Sequence, residues 1–310
     1  MKIAFVFPGQ GSQSVGMLSS FAGSAAVADV VQRASYALGS DIGRLMAEGP
    51  AEELGLTVNT QPCMLTAAYA MYSAWRAAGG PAPAVVAGHS LGEYSALTVA
   101  GAFTLEDAVR FVRFRAQAMQ EAVPVGVGAM AAILGLDDAQ VRAACEESAQ
   151  GEVVEAVNFN APAQVVIAGH RAAVDRACAA AKQRGAKRAV LLPVSAPFHS
   201  SLLAPARERL REKLAQVAMS VPQIPVIHNV DVSTSGDPAT IRETLARQAA
   251  SPVRWSETIA RMASEGVTHV VECGPGRVLS GLTKRIVGTL ESLSISDAAS
   301  LADVRARLGD

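Results

Sequence analysis

Ala84-Val85-Val86-Ala87-Gly88-His89-Ser90-Leu91-Gly92-Glu93-Tyr94 is the stretch on which the fold turns. Residues 84–88 are a short apolar run ending in glycine, as a strand buried on both faces is. Residues 93–100 continue as a helix and stop at Gly101. Between them, Gly88-His89-Ser90-Leu91-Gly92 has the form G-x-S-x-G. In a strand–turn–helix setting that pattern describes a nucleophile elbow. Small flanks permit a sharp turn, and the serine hydroxyl stands clear of the sheet edge. The first N–H groups of the following helix face any developing anion. An Ala- and Gly-rich chain also produces these five letters by chance, so the setting, more than the letters, favours Ser90 as a nucleophile.

On either side, short apolar runs alternate with longer helical ones, the mark of an α/β protein. Residues 2–7 read as a first strand, ended by Pro8-Gly9. Residues 61–78 read as a helix, with Leu65, Ala68, Tyr69, Tyr72 and Trp75 at helical spacing and Gly79-Gly80 as its stop. Thr104 is placed to cap a helix running to residue 122, with Asp107 three positions on. Residues 126–192 have their own rhythm: strand 128–134, helix 137–149, strands 153–157 and 164–168, helix 172–184, strand 187–192. The order βαββαβ is ferredoxin-like. A small subdomain, residues 125–193, is therefore expected inside a large α/β domain made of residues 1–124 and 194–310. The large domain resumes with helices at 204–217, 238–250, 256–265 and 277–287 and strands at 225–229 and 268–272. Residues 291–310 read as a peripheral tail or helix.

Composition narrows the function. The chain has 310 residues, 50% hydrophobic and 18% charged, with a net charge of -1. That excludes disorder as the main state and argues against a nucleic-acid binder working through a basic face. Apolar runs such as 125–136 are far short of the roughly 20 residues of a membrane span. The opening apolar run ends at Pro8, too early for a signal-peptide core. Cys63, Cys145, Cys178 and Cys273 are scattered without a CxxC pair, as in a reduced cytoplasmic protein, and no metal site or cofactor is expected.

A serine nucleophile needs a base, usually histidine. Of the five histidines, His89 is expected to pack or hydrogen-bond under the elbow. His170 reads as surface or capping and His269 as core, while His228 stays open. His199, in Ser195-Ala196-Pro197-Phe198-His199-Ser200, lies in a loop where the chain re-enters the large domain, and such loops gather catalytic groups. No acid announces itself as a third member: Asp231 and Asp237 suit turns, and Glu272 suits the core edge or a functional role. A carbonyl can orient the imidazole instead, since its other N–H needs only an acceptor. The loop Pro8-Gly9-Gln10-Gly11-Ser12-Gln13 can present N–H groups to an oxyanion or be a plain turn. It lacks the Gly-Lys-Ser/Thr ending of a phosphate loop.

Taken in order, Phe7-Pro8-Gly9-Gln10-Gly11-Ser12-Gln13, Gly88-His89-Ser90-Leu91-Gly92-Glu93-Tyr94, Val157-Asn158-Phe159-Asn160, residues 164–169 and Gly274-Pro275-Gly276 are similar to malonyl-CoA:acyl carrier protein transacylases of type II fatty acid synthesis. The resemblance runs from about residue 1 to residue 290. It implies an α/β-hydrolase-like large domain with an inserted ferredoxin-like small subdomain. It implies a ping-pong transfer: Ser90 takes the malonyl group from malonyl-CoA, with His199 as base, and passes it to the phosphopantetheine thiol of holo acyl carrier protein. By the same resemblance the N–H groups of Gln10 and Leu91 form the oxyanion hole, and Arg115 holds the malonyl carboxylate. Only the resemblance selects Arg115 over Arg110 and Arg113 on the same helix, although a guanidinium suits a planar carboxylate. The carbonyl of Gln248 replaces the missing acid. In related polyketide acyltransferases a phenylalanine at the place of Phe198 goes with malonyl units, so Phe198 is expected to crowd an α-methyl. A monomer is expected, with no nucleic-acid or membrane partner. Lys187-Arg188, and Arg277 with Lys284-Arg285, are the basic clusters that could meet an acidic carrier, or be plain solvated surface. A polyketide acyltransferase or a malonate decarboxylase transferase subunit would share Ser90, His199 and Arg115. A thioesterase would not bury an unpaired guanidinium in an apolar acyl pocket. A non-catalytic docking module would have no use for both Ser90 and His199.

Overall fold

Ile3, Ala4, Phe5, Val6 and Phe7 are all buried, a continuous apolar run that only the middle of a sheet covered on both faces can hold. The computed structural model describes residues 1–309. In chain order its elements begin with β1 (Ile3–Phe7), α1 (Ala25–Leu38), α2 (Ile42–Glu48), α3 (Ala51–Gly55), α4 (Thr57–Ala77), β2 (Val85–Gly88), α5 (Gly92–Val99) and α6 (Leu105–Glu121). There follow β3 (Gly128–Leu134), α7 (Asp138–Ala149), β4 (Val154–Ala161), β5 (Gln164–His170), α8 (Arg171–Gln183) and β6 (Arg188–Leu191). The chain then continues with α9 (Ala204–Leu214), β7 (Val226–Ile227), α10 (Pro238–Gln248), α11 (Trp255–Ser264), β8 (His269–Cys273), α12 (Val278–Ile286), β9 (Glu291–Ile295) and α13 (Ala298–Leu308).

The main sheet has the order β7-β2-β1-β8-β9, and every pairing in it is parallel. Side chains alternate across β1. Phe5 and Phe7 pack with α1, α4 and α6 on one face, while Ala4 and Val6 pack with Trp255 and Ile259 of α11 and Leu279 of α12 on the other. Crossovers return each parallel strand to the same edge, so the loops after β1, β2, β7 and β8 gather at the carboxyl ends of the strands, where ligands of open α/β sheets bind.

The second sheet has the order β4-β5-β3-β6, with every pairing antiparallel. Its period-2 alternation sorts two faces. Ala129, Ala131 and Ile133 of β3 pack under α7 and α8. Met130 packs with Val157, Val166 and Ala168 on the opposite face, where Leu192, Val194 and Phe198 lean against them.

Several elements depart from the sequence reading. The expected peripheral tail holds β9, the fifth strand of the main sheet, as well as α13. The helix expected from residue 61 starts at Thr57, with Pro62 inside it. The strand expected at 153–157 runs on to Ala161 through a hairpin with β5. His269, expected in the core, opens β8 half-buried, with Nε2 3.0 Å from Glu291 Oε2.

Candidate active site

The elbow is built by steric exclusion. Ser90 has φ +52°, a left-handed conformation that a non-glycine residue adopts only when its surroundings hold it there. A Cβ on Gly88 would come within 1.8 Å of the Gly92 carbonyl carbon, and one on Gly92 within 2.0 Å of the Phe7 carbonyl oxygen. The glycines of G-x-S-x-G are therefore imposed by backbone meeting backbone. Asn229, fully buried just after β7, clamps the turn. Its Oδ1 accepts from the Ser90 N–H at 2.7 Å and its Nδ2 donates to the Gly88 carbonyl at 2.7 Å.

Ser90 Oγ lies 2.7 Å from His199 Nε2. His199 Nδ1 lies 2.9 Å from the carbonyl oxygen of Gln248. A carbonyl only accepts, so Nδ1 carries the proton and Nε2 presents its lone pair to the serine hydroxyl. Gln248 is the last residue of α10, where helix carbonyls lack intrahelical partners and the helix dipole is negative. It is this carbonyl, and no carboxylate, that His199 Nδ1 meets. Burial, then the Arg115 charge, pull the His199 imidazole down to about 3, against the pull of the Gln248 carbonyl. His199 is neutral at ordinary pH, the state in which an imidazole is able to accept a proton.

Arg115, on α6, is only 1% exposed. Its Nη2 donates to Ser90 Oγ at 3.2 Å and to Gln248 Oε1 at 2.9 Å, and its Nη1 to Gln61 Oε1 at 2.9 Å. The guanidinium also lies over the Tyr94 ring, 5.2 Å from its centre. Among the described residues no carboxylate forms an ion pair with it. Burial lowers its hold on its proton below the ordinary arginine range. A buried cation satisfied only by neutral amide oxygens and a hydroxyl is a site built to receive an anion.

Ser90, His199 and Arg115 open on a cavity of about 150 Å³ that Gln10, Leu91, Met130 and Phe198 also line. It lies between the carboxyl ends of the main sheet and the Met130 face of the second one. Six of the residues singled out from sequence, namely Ser90, His199, Arg115, Gln10, Leu91 and Phe198, thus meet in one place. Gln248 closes the back through its hydrogen bonds to three of them, His199, Arg115 and Ser90. The remaining histidines bond other partners. His89 bonds Asn160 through Nε2 at 2.8 Å and packs edge-on against Trp255. His170 accepts from the Val153 N–H at 2.9 Å. His228 is fully buried against Glu93. Glu272 is structural: its carboxylate accepts from the N–H groups of Leu279 and Ser280 at 3.1 and 2.7 Å and caps α12. Asp237 caps α10, and Asp231 serves a turn. Sequence reasoning missed Gln61, Glu93 and Asn229. Asn229 could have been suspected from its place directly after a strand of the main sheet; Gln61 and Glu93 become visible only in three dimensions.

Among the described residues there is no cluster able to hold a metal ion and no helix long and apolar enough to cross a membrane. Compared with known proteins, the chain matches the model of the acyl transferase domain over residues 4–307. It is 54% identical over 302 residues to the malonyl CoA-acyl carrier protein transacylase of Escherichia coli strain K12, covering 97% of this chain and 98% of that one. It is 44% identical over 302 residues to the enzyme of the same name from Bacillus subtilis strain 168, covering 97% and 95%. Among solved structures it is similar to an acyl-carrier-protein S-malonyltransferase from Burkholderia pseudomallei 1710b, with a TM-score of 0.97 and 64% identity over 98% of this chain and 99% of that one. A malonyl-transacylase solved with a holo type II polyketide acyl carrier protein aligns with a TM-score of 0.98 and 48% identity, over 99% and 100%.

Proposed function

Because the chain belongs to the acyl transferase domain family, among its malonyl-CoA:acyl carrier protein transacylases, we propose that it carries malonyl groups from malonyl-CoA to holo acyl carrier protein through an ester on Ser90, supplying fatty acid synthesis. The observation that carries this reading is the arrangement of Arg115 and His199 on one hydroxyl. Ser90 Oγ accepts from a buried guanidinium at 3.2 Å and faces an imidazole lone pair at 2.7 Å.

In the first half-reaction the malonyl carboxylate takes the place Ser90 Oγ now holds on Arg115 Nη2, and this turns the thioester carbonyl toward the serine. His199 Nε2 removes the hydroxyl proton as Oγ attacks. The resulting imidazolium is stabilised by the Gln248 carbonyl at Nδ1. The N–H groups of Gln10 and Leu91, both on the cavity wall, receive the oxyanion. The Ser90 N–H is unavailable for that, since Asn229 holds it. The tetrahedral intermediate collapses, the C–S bond breaks, and His199 returns the proton to the departing CoA thiolate. In the second half-reaction the carrier's phosphopantetheine thiol gives its proton to His199 and attacks the ester. The C–O bond breaks, Ser90 regains its proton, and malonyl-carrier protein leaves.

We read the fold as an α/β-hydrolase-like large domain (1–124 and 194–310) around a ferredoxin-like small subdomain (125–193). The four-strand order β4-β5-β3-β6 and its two helices on one face support that division. Exposed Lys187-Arg188 and Arg277, Lys284 and Arg285 offer positive charge to an acidic carrier. Steady-state transfer with both substrates varied tests the scheme. Parallel double-reciprocal lines are expected; intersecting lines that converge left of the axis would exclude a free malonyl-enzyme.

A further inference from the structure

Beneath the elbow lies a polar cluster that the transfer steps do not use. Glu93, in the first turn of α5, is fully buried. Its Oε2 accepts from Gln248 Nε2 at 2.7 Å and from the backbone N–H of Asn229 at 3.1 Å. Its Oε1 lies 2.7 Å from Nδ1 of His228, which is equally buried. A carboxylate taken wholly out of water is costly, and conserving no solvent contact here serves no surface purpose. What the carboxylate does touch is the side chain that holds Arg115.

The Gln248 amide has a single workable orientation. The Asn229 N–H can only donate, so Glu93 Oε2 is an acceptor. The Gln248 NH₂ therefore faces Glu93, and it also donates to the Ser90 carbonyl at 3.0 Å. That leaves Oε1 for Arg115 Nη2 at 2.9 Å. A flipped amide would set oxygen against the Glu93 and Ser90 oxygens, and NH₂ against the guanidinium. Glu93 thus stands one amide away from Arg115. Placed in direct contact, the carboxylate would occupy the guanidinium and neutralise it. Placed behind Gln248, it orients the guanidinium and leaves it open to an anion.

We propose that Glu93 is a positioning residue for acyl-group selection: by locking the Gln248 amide it aims an unpaired Arg115 at Ser90 and so sets the preference for carboxylate-bearing over plain acyl thioesters. This rests on the reading that Arg115 holds the malonyl carboxylate. The test compares Ser90 acylation by malonyl-CoA and by acetyl-CoA, followed as intact mass over time across a range of thioester concentrations. In Glu93→Ala the malonyl-to-acetyl ratio of kcat/KM is expected to fall about tenfold or more, as loss of a hydrogen bond to a charged group does, mostly through KM for malonyl-CoA. Glu93→Gln keeps an acceptor for the Gln248 NH₂ and is expected to restore most of the ratio. A folded Glu93→Ala protein with an unchanged ratio would overturn the proposal, and so would a Glu93→Gln protein no better than the alanine variant. If Glu93→Ala does not fold, Gln248→Met decides. It removes the amide and keeps the backbone carbonyl for His199, and an unchanged ratio there is equally fatal. Arg115→Ala separates the two layers. A ratio unmoved by Arg115→Ala refutes the reading of Arg115 itself. A ratio that collapses in Arg115→Ala but not in the folded Glu93 variant refutes the role of Glu93 alone.

Discussion

At His199, burial, Arg115 and more weakly His89 oppose protonation of the imidazole, while the carbonyls of Gln248 and Ser251 favour it. The balance leaves it near 3, against about 6.5 in an unfolded chain. The sign follows from proton binding. Between those values the unfolded chain binds the proton and the folded one does not. The contribution of His199 to stability is thus complete above about pH 6.5 and is lost as the pH falls toward 3. For activity, the rate of Ser90 acylation by malonyl-CoA should show no acidic limb near pH 6.5. A limb centred there would contradict the neutral base. At this scale Ser90 was legible because G-x-S-x-G carries its own steric logic. The contact of Gln248 with His199 was not legible from the residue's own chemistry, since it is made by a backbone carbonyl that any residue possesses. Only the family resemblance pointed to it.

At the scale of elements, the elbow depends on a segment far away in sequence. β7 is two residues long, yet it delivers Asn229 to both ends of the turn around Ser90. Asn229→Ala would leave the Ser90 N–H and the Gly88 carbonyl without partners in a buried place. It is expected to cost about 1–3 kcal/mol of stability in denaturant titration and to lower Ser90 acylation about 100-fold by releasing the strained turn. A variant of wild-type rate would show that the turn holds itself. Elements with a sharp boundary were easy to read. β3 was read with the bounds it has, because Gly128 and Gly135 frame an uninterrupted apolar run, and α6 was read from Thr104, whose side chain accepts from the Asp107 N–H at 3.1 Å. α1 to α3 went unread and β9 was folded into a tail. Glu291-Ser292-Leu293-Ser294-Ile295 has only two apolar residues, and what makes it a strand is pairing with β8, a contact the local pattern does not announce.

For the whole molecule, the cavity exists only because two sheets meet. The main sheet supplies Gln10, Ser90 and, through α6, Arg115, while the second sheet supplies Met130 as the facing wall. Phe198 leans from the loop before His199 onto that second sheet and narrows the space beside Ser90. Phe198→Ser is expected to raise kcat/KM for methylmalonyl-CoA relative to malonyl-CoA, within the roughly 10–200-fold that one methyl can command. No gain with methylmalonyl-CoA would remove Phe198 from the account of specificity. The α/β character of the chain and the βαββαβ order of residues 126–192 were legible from apolar runs and turn signals, whereas the strand order of the main sheet and the meeting of the two sheets at one cavity were not, because no local pattern encodes which strands pair or the angle between sheets. Ser90 is proposed to carry the malonyl group and Arg115 to choose it. The most direct measurement is the intact mass of the protein after brief exposure to malonyl-CoA, beside Ser90→Ala and Arg115→Ala. A malonyl adduct is expected on the unaltered protein, none on Ser90→Ala, and on Arg115→Ala a shift in favour of acetyl over malonyl when both thioesters compete. An adduct that survives Ser90→Ala, or free malonate released with no adduct at all, would contradict the proposal.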